Sequence, residues 1–145
     1  MSGVVRGSMV ELAELDACGL PSYKLAPIET VLPGDVVPDP VCHCLSIVCG
    51  VVESTACTTF RVQALRAHPR QGICWNQGFT VLEHCNGAER LSGHQTLYAL
   101  VLRGGSCATV DGIVTTMHTL KADDFFAGQG VMGYPERGSN PRPFG

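Results

Sequence analysis

The sequence predicts an α+β fold, with a small, mostly antiparallel sheet and one helix packed on it. Three observations support this prediction. Apolar and β-branched residues fill 41–52 and 96–103, which is typical of buried strands. Asp111-Gly112 separates two further apolar runs, as in a two-residue hairpin turn. Residues 84–91 end before a Ser-Gly pair and are interpreted as the helix.

The other elements follow in chain order. Residues 10–15 are interpreted as a short helix and residues 25–31 as an extended segment. Pro33-Gly34-Asp35 predicts a turn, because proline presets φ and glycine accepts a positive φ. The sheet is predicted to contain strands near 41–52, 58–62, 96–103 and 106–119.

Length and composition indicate one globular domain. The chain has 145 residues, of which 45% are hydrophobic and 16% charged. We interpret residues 1–126 as the globular domain and residues 127–145, rich in glycine and proline, as a C-terminal tail that is poorly ordered or lies on the surface.

The charge balance bears on the class of partner. A net charge of −3 argues against broad electrostatic binding of nucleic acid, although Arg61, Arg66, His68 and Arg70 form a local basic group in the sequence. No apolar stretch reaches the ~18–20 residues of a membrane span. No signal peptide is recognised, so we expect a cytosolic protein.

Eight cysteines are the most unusual part of the composition. Without a secretion signal, the sequence favours mostly reduced, structural thiols, since free cysteine often packs as a small apolar residue. Disulfides and zinc ligation stay open as alternatives. The zinc ligands would come from Cys42, His43, Cys44, Cys74 and His84-Cys85. Structural zinc usually shows two close ligand pairs, and only one loose pair exists here, so no metal and no cofactor is predicted.

Two segments carry a family resemblance. Leu32-Pro33-Gly34-Asp35-Val36-Val37 and the following residues 41–50 resemble the H-box of the lecithin:retinol acyltransferase-like superfamily, in which His43 is the motif histidine. Residues 82–93 are similar to the NC box, with Cys85 as the motif cysteine. Their order also resembles the H-box/NC type of picornavirus 2A protein, kobuviruses in particular. The resemblance implies a fold related to the NlpC/P60 type, with Cys85 on the packed helix.

The resemblance also implies a candidate thiol site. Cys85 at a helix N-terminus would be the nucleophile, because the helix dipole favours a thiolate. His43 would take its proton, and Glu53 would orient the imidazole. Cellular enzymes of the superfamily carry a second polar residue, usually histidine, near positions 53–55, and no histidine stands there. Whether the chain is an enzyme is therefore left open, with the balance against it.

The predicted function is that of a viral non-structural accessory protein without self-cleaving protease activity. It would support RNA replication in the host cytoplasm through viral replication proteins, host proteins or viral RNA. The alternative is a thiol acyltransferase or phospholipase-like hydrolase that uses Cys85 and His43. A protease centred on Cys107 is disfavoured, because Thr109 stands where such sites have glycine.

Overall fold

The computed structural model describes residues 2–120, and they form one twelve-stranded mixed sheet. Its strands are β1 (Val4–Val5), β2 (Met9–Leu15), β3 (Pro21–Pro27), β4 (Val36–Asp39), β5 (Cys44–Val62), β6 (Leu65–Ala67), β7 (Gly72–Trp75), β8 (Gly78–Val81), β9 (Glu89–Arg103), β10 (Cys107–Val110), β11 (Ile113–Thr116) and β12 (His118–Thr119). Two 3-10 turns, Ile28–Thr30 and Leu82–His84, are the helical elements of this part of the chain. The α+β prediction was therefore wrong, and the fold is almost all β.

The predicted helix over residues 84–91 does not form. The turn Leu82–His84 ends at Cys85, whose backbone is extended (φ −76°, ψ 139°), and Gly87 has a φ of 87°. Strand β9 begins at Glu89, directly opposite Arg61 of β5. Tertiary pairing overrides the local preference, because a helix of eight residues is marginal alone whereas β5 offers a long partner strand. The expected relation to the NlpC/P60-type fold, with its packed helix, is overturned with it.

The predicted helix over residues 10–15 is also a strand. In β2, Val10 and Leu12 are buried while Glu11 between them is half-exposed, which is the period of two of a strand. Every residue of β2 has a partner in β3, from Met9 opposite Pro27 to Leu15 opposite Pro21.

Both predicted turns are confirmed. Asp111 and Gly112 have φ angles of 49° and 82° and join β10 to β11, with Val110 opposite Ile113. Gly34 has a φ of 99°, and the N–H of Asp35 donates to the carbonyl of Leu32 at 3.0 Å. The strands predicted at 41–52 and 58–62 merge into the single strand β5.

Strands β5 and β9 form the longest pair of the sheet. They run antiparallel from Ile47 opposite Arg103 to Arg61 opposite Glu89, with irregularities after Val48 and after Ala56. Such irregularities bend a strand pair. One end of β5 therefore pairs with β4 and the other with β6, which lies beside β1.

The core lies beneath this bent sheet. Its fully buried apolar side chains come from many strands and from both 3-10 turns, and include Val4, Val10, Ile28, Val37, Leu65, Ile73, Leu82, Leu97, Leu100 and Leu102. Burying each such side chain contributes about 1.5–3 kcal/mol, so packing of the sheet on itself replaces the helix that the sequence suggested.

The predicted tail, 127–145, and the last residues of the predicted domain lie outside the described residues. Within residues 2–120, no helix is long and apolar enough to cross a membrane.

Candidate functional site

The three residues of the predicted thiol site lie in different parts of the molecule. His43 is exposed in the turn between β4 and β5, where its φ is 56°. Cys85 is 8% exposed, packs in the hydrophobic core and directs its thiol to the carbonyl of Val81 at 3.7 Å. Glu53 is exposed in the middle of β5, opposite Tyr98. The structure thus gives each residue a separate environment.

The surroundings of Cys85 do not suit a nucleophile. Burial raises the pKa of its thiol, so the neutral form is favoured at neutral pH. Cys85 also follows the turn Leu82–His84 instead of opening a helix, so it gains no helix N-terminus.

A different cysteine and histidine are in contact. The sulfur of Cys57 lies 3.5 Å from Nδ1 of His94, and both side chains are exposed. Cys57 sits at the irregularity between β5 and β9, where Ala56 faces Gln95 and Thr58 faces Ser92. Sequence reasoning missed this pair because an irregular register between distant strands has no local signal.

The outer side of β3 is a free edge of the sheet within the described residues. In residues 2–120, β2 is the one strand that pairs with β3. An edge strand presents unpaired N–H and C=O groups, and such an edge can accept another extended chain.

The register shows which residues of β3 face this edge. The N–H of Ile28 donates to the carbonyl of Ser8 at 2.8 Å, so the residues of β3 at even positions point their backbone groups at β2. Pro21 and Pro27, which have no N–H, stand at odd positions, as expected for the outward side. Tyr23 and Leu25 therefore direct their N–H and C=O groups to the free edge.

An apolar face continues inward from this edge. Tyr23 lies opposite Ala13, Ala13 opposite Val36, and Val36 opposite Ile47, so these four side chains share one face of the sheet. The outermost are well exposed, with Tyr23 at 56% and Ile47 at 51%. Leu25 and Leu45 lie two positions along their strands on the same face, with 63% and 43% of their surface exposed.

A shallow cavity of about 490 Å³ opens on the same face. Tyr23, Pro38 and Leu45 give it an apolar wall, and Glu11 and His43 give it polar groups. The face therefore combines an edge for backbone pairing with a shallow recess beside it.

Asp39 fixes the wall of this cavity. Asp39 is buried, with 2% of its surface exposed. Its carboxylate accepts hydrogen bonds from four backbone N–H groups, those of Val41 at 2.8 Å, Cys42 at 3.3 Å, Ser106 at 2.8 Å and Cys107 at 3.1 Å. Burial raises the pKa of this carboxyl, but the four hydrogen bonds outweigh burial and hold the pKa below its usual value. Asp39 therefore ties the β4–β5 turn to the turn before β10.

The same turn contains a disulfide between Cys42 and Cys44, with Cα atoms 5.3 Å apart. The prediction of mostly reduced thiols agrees with cysteines 18, 49, 57, 74, 85 and 107, which are free, and Cys42–Cys44 is the exception. Asp39, Cys42 and Cys44 place their ligand atoms within 4.8 Å of one another. They do not fit a metal ion as they stand, because the carboxylate already accepts four N–H groups and the sulfurs are bonded together.

A second polar cluster surrounds Gly3. The Gly3 N–H donates to Oε1 of Gln71 at 2.8 Å, and its carbonyl accepts from the N–H of His68 at 2.9 Å. Gln71, 1% exposed, also donates to the carbonyl of Thr116 at 2.7 Å. Burial lowers the pKa of His68, whose Nδ1 accepts from the N–H of Arg70 at 3.0 Å. The cluster is well satisfied by hydrogen bonds and anchors β1 in the sheet.

Two of the basic residues noted in the sequence, Arg61 and Arg66, have partners within the chain. Arg61 forms an ion pair with Glu89 on the neighbouring strand. Arg66 donates to the hydroxyl of Thr59 at 2.7 Å. The ion pair of Arg61 offsets part of the positive charge that a nucleic acid would use.

Strand content and topology define an all-β domain with an intein-like fold. The solution structure of a bacterial intein-like domain from Clostridium thermocellum is similar, with a TM-score of 0.62 and 14% identity over 81% of this chain and 99% of that one. At this identity the likeness shows the fold alone. No family model matches the chain, and no curated protein matches it either.

Proposed function

We propose that this chain is a binding module that captures an extended segment of a partner protein along the free edge of β3. The observation that supports it most directly is the outward orientation of the backbone groups of Tyr23 and Leu25 beside an exposed apolar face. An added strand would gain main-chain hydrogen bonds from this edge and specificity from alternate side chains on the face.

The chemistry of the face defines the partner segment. Apolar side chains at alternate positions would cover Tyr23 and Leu25. A lysine or arginine at one inward position would meet Glu11, which lies opposite Leu25 on the same face and lines the cavity. The partner is therefore an extended segment with alternating apolar residues and one basic residue.

One part of the function predicted from the sequence is retained, namely an accessory role through protein contacts without self-cleaving protease activity. The viral origin, the role in RNA replication and the host cytoplasm remain proposals that rest on sequence resemblance alone. Viral RNA is not included in this proposal, because the positive charge of Arg61 is already paired with Glu89 within the chain.

The catalytic alternative, a thiol acyltransferase or hydrolase, is not preferred. The buried thiol of Cys85 and the exposed His43 give no support to a shared acyl-transfer site.

Selection from a displayed library tests the binding proposal. The probe is a set of extended peptides with alternating apolar residues and one lysine, selected on the wild-type domain and measured against Leu25→Pro. This substitution removes one outward N–H and leaves the ladder to β2 intact, because Leu25 does not donate to β2.

We expect selected peptides to lose binding about 10-fold or more on Leu25→Pro, since main-chain pairing supplies the affinity. An unchanged thermal midpoint of the variant confirms that the domain is folded. Equal binding to both proteins, or no enriched peptide at all, would overturn the proposal.

A further inference from the structure

The disulfide Cys42–Cys44 lies where a bound segment would pass. Cys44 and His43 line the cavity beside Tyr23, and Cys42 is exposed next to them. Exposed disulfides exchange with thiols far more readily than buried ones, because the attacking thiolate must reach one sulfur along the S–S axis.

The bridge contributes little to holding the fold together. It joins residues two positions apart, and the stabilisation given by a disulfide falls as the loop it closes becomes shorter. The turn keeps its shape by other means. Asp39 accepts the N–H groups of Val41 and Cys42, and His43 adopts the left-handed backbone that turns the chain back. The bridge can therefore open and close while the domain stays folded.

The open form also has a place for its thiol. The sulfur of Cys44 lies 3.6 Å from the carbonyl oxygen of Gly104. When the bridge is reduced, the S–H of Cys44 has this oxygen as an acceptor. Both redox states thus fit the same surroundings.

We propose that Cys42-His43-Cys44 is a thiol–disulfide exchange site whose substrate is an extended peptide with two thiols. A substrate thiolate attacks the sulfur of Cys42, the more exposed residue of the pair, and the electron pair of the broken S–S bond passes to Cys44, which takes up a proton. The second substrate thiolate then attacks the substrate sulfur of this mixed disulfide. Cys42 leaves and is protonated, so the substrate loses two electrons and two protons and the protein gains both.

The exchange reaction does not depend on the binding proposed for β3; the preference for an extended peptide rests on it. Reduced glutathione, a small monothiol, therefore measures exchange alone. A nine-residue peptide with alternating apolar residues, one lysine and two cysteines measures exchange and docking together. Oxidised glutathione, supplied in excess, returns the protein to its disulfide form.

The first experiment measures the redox state in the folded protein. The wild-type domain is equilibrated in glutathione buffers of increasing reducing power, trapped with N-ethylmaleimide and analysed by mass spectrometry. We expect Cys42 and Cys44 to gain label together, with an unchanged circular dichroism spectrum. A pair that stays oxidised in excess reduced dithiothreitol until the domain unfolds would overturn the proposal.

The second experiment measures turnover of the dithiol peptide with matched serine variants. We expect the wild type to oxidise it about 10-fold or more faster than Cys42→Ser or Cys44→Ser, which lack one exchanging sulfur. Cys18→Ser, which removes an exposed thiol outside the bridge, should keep the wild-type rate. Equal rates in wild type and Cys42→Ser would contradict the exchange site.

Leu25→Pro separates this inference from the proposed function. If both hold, the variant keeps its exchange with glutathione and loses its rate advantage for the peptide. If only the binding proposal fails, exchange with glutathione and with the peptide is the same in wild type and Leu25→Pro. If only the exchange proposal fails, the peptide binds the wild type and is not oxidised.

Discussion

The carboxylate of Asp39 accepts the backbone N–H of Ser106 at 2.8 Å, although 67 positions separate the two residues. The same carboxylate holds Val41 and Cys42 in the β4–β5 turn. The cavity wall, the disulfide turn and the entry to β10 therefore depend on one buried side chain.

Replacing Asp39 with asparagine should destabilise the domain by about 2–3 kcal/mol, because the amide keeps one acceptor oxygen and turns an N–H₂ group toward backbone donors. The measurement is the free energy of unfolding in urea at pH 7. Glu53→Gln is the matched control, since Glu53 is exposed, and it should change the free energy by only a few tenths of a kcal/mol. Equal effects of the two substitutions would contradict the anchoring role of Asp39.

The stabilisation by Asp39 should depend on pH. Burial raises the pKa of its carboxyl, but the hydrogen bonds outweigh burial, so the pKa is lower in the folded protein than in the unfolded chain. The carboxylate therefore stabilises the fold above the unfolded pKa of about 4, and this contribution disappears as the pH falls through the folded pKa. Urea titrations from neutral to acid pH should show wild type and Asp39→Asn converging as the pH falls. If the difference in unfolding free energy between wild type and Asp39→Asn instead grew on acidification, the pKa of Asp39 would not be lowered by folding.

Asp111 should show the reverse effect. Burial raises the pKa of its carboxyl and outweighs the hydrogen bond from the N–H of Met9. Its negative charge thus costs stability as the pH rises through the unfolded pKa. Asp111→Asn keeps an acceptor and tolerates the left-handed φ of 49°. We expect a gain of a few tenths of a kcal/mol at pH 7, since partial solvent exposure screens the effect. A loss above about 1 kcal/mol at pH 7 would contradict an unfavourable burial of this charge.

Gly105 should not accept a side chain. A Cβ there would collide with Oγ of Ser46 and a carboxylate oxygen of Asp39, both of which are buried. Gly105→Ala is expected to cost about 2–3 kcal/mol, as overpacked sites do. Gly50→Ala is the control, because a Cβ at this position would have no atom within 4 Å and the φ of Gly50 is not in the left-handed region. Similar unfolding free energies for the two variants would argue against the close packing of this turn.

The rates at which iodoacetamide alkylates the free cysteines should follow their exposure. Cys18 and Cys57 are exposed, whereas burial raises the pKa values of Cys85 and Cys107. Iodoacetamide at mildly alkaline pH should therefore modify the first two quickly and the last two slowly. Peptide mass spectrometry gives each rate. Fast labelling of Cys85, abolished by His43→Ala, would revive the thiol-enzyme alternative.

The parts of the fold that the sequence predicts well are those with local signals. The Asp111-Gly112 hairpin is confirmed because both residues accept positive φ angles. Strand β5 is predicted over most of its length because its apolar residues recur. The strand over residues 89–96 is not predicted, since their polar side chains and Gly93 carry no strand pattern. These residues become part of β9 because they pair with β5.

The candidate site is predicted less well, for a similar reason. The edge position of β3 depends on the order of strands in the sheet, which no short segment specifies. The contact of Asp39 with Ser106, and that of Cys57 with His94, join residues from distant strands. His43 is the one predicted site residue that lines the cavity, but it does so from a turn and without Cys85.

Residue-resolved hydrogen exchange in β3 tests the free edge most directly. In the unbound domain the amides of Ser22 and Lys24, which point at β2, should be protected, while those of Tyr23 and Leu25 should exchange rapidly. Addition of a selected peptide should slow exchange at Tyr23 and Leu25 alone. Equal protection of all four amides before any peptide is added would mean that the edge is already covered, and would contradict the proposed binding site.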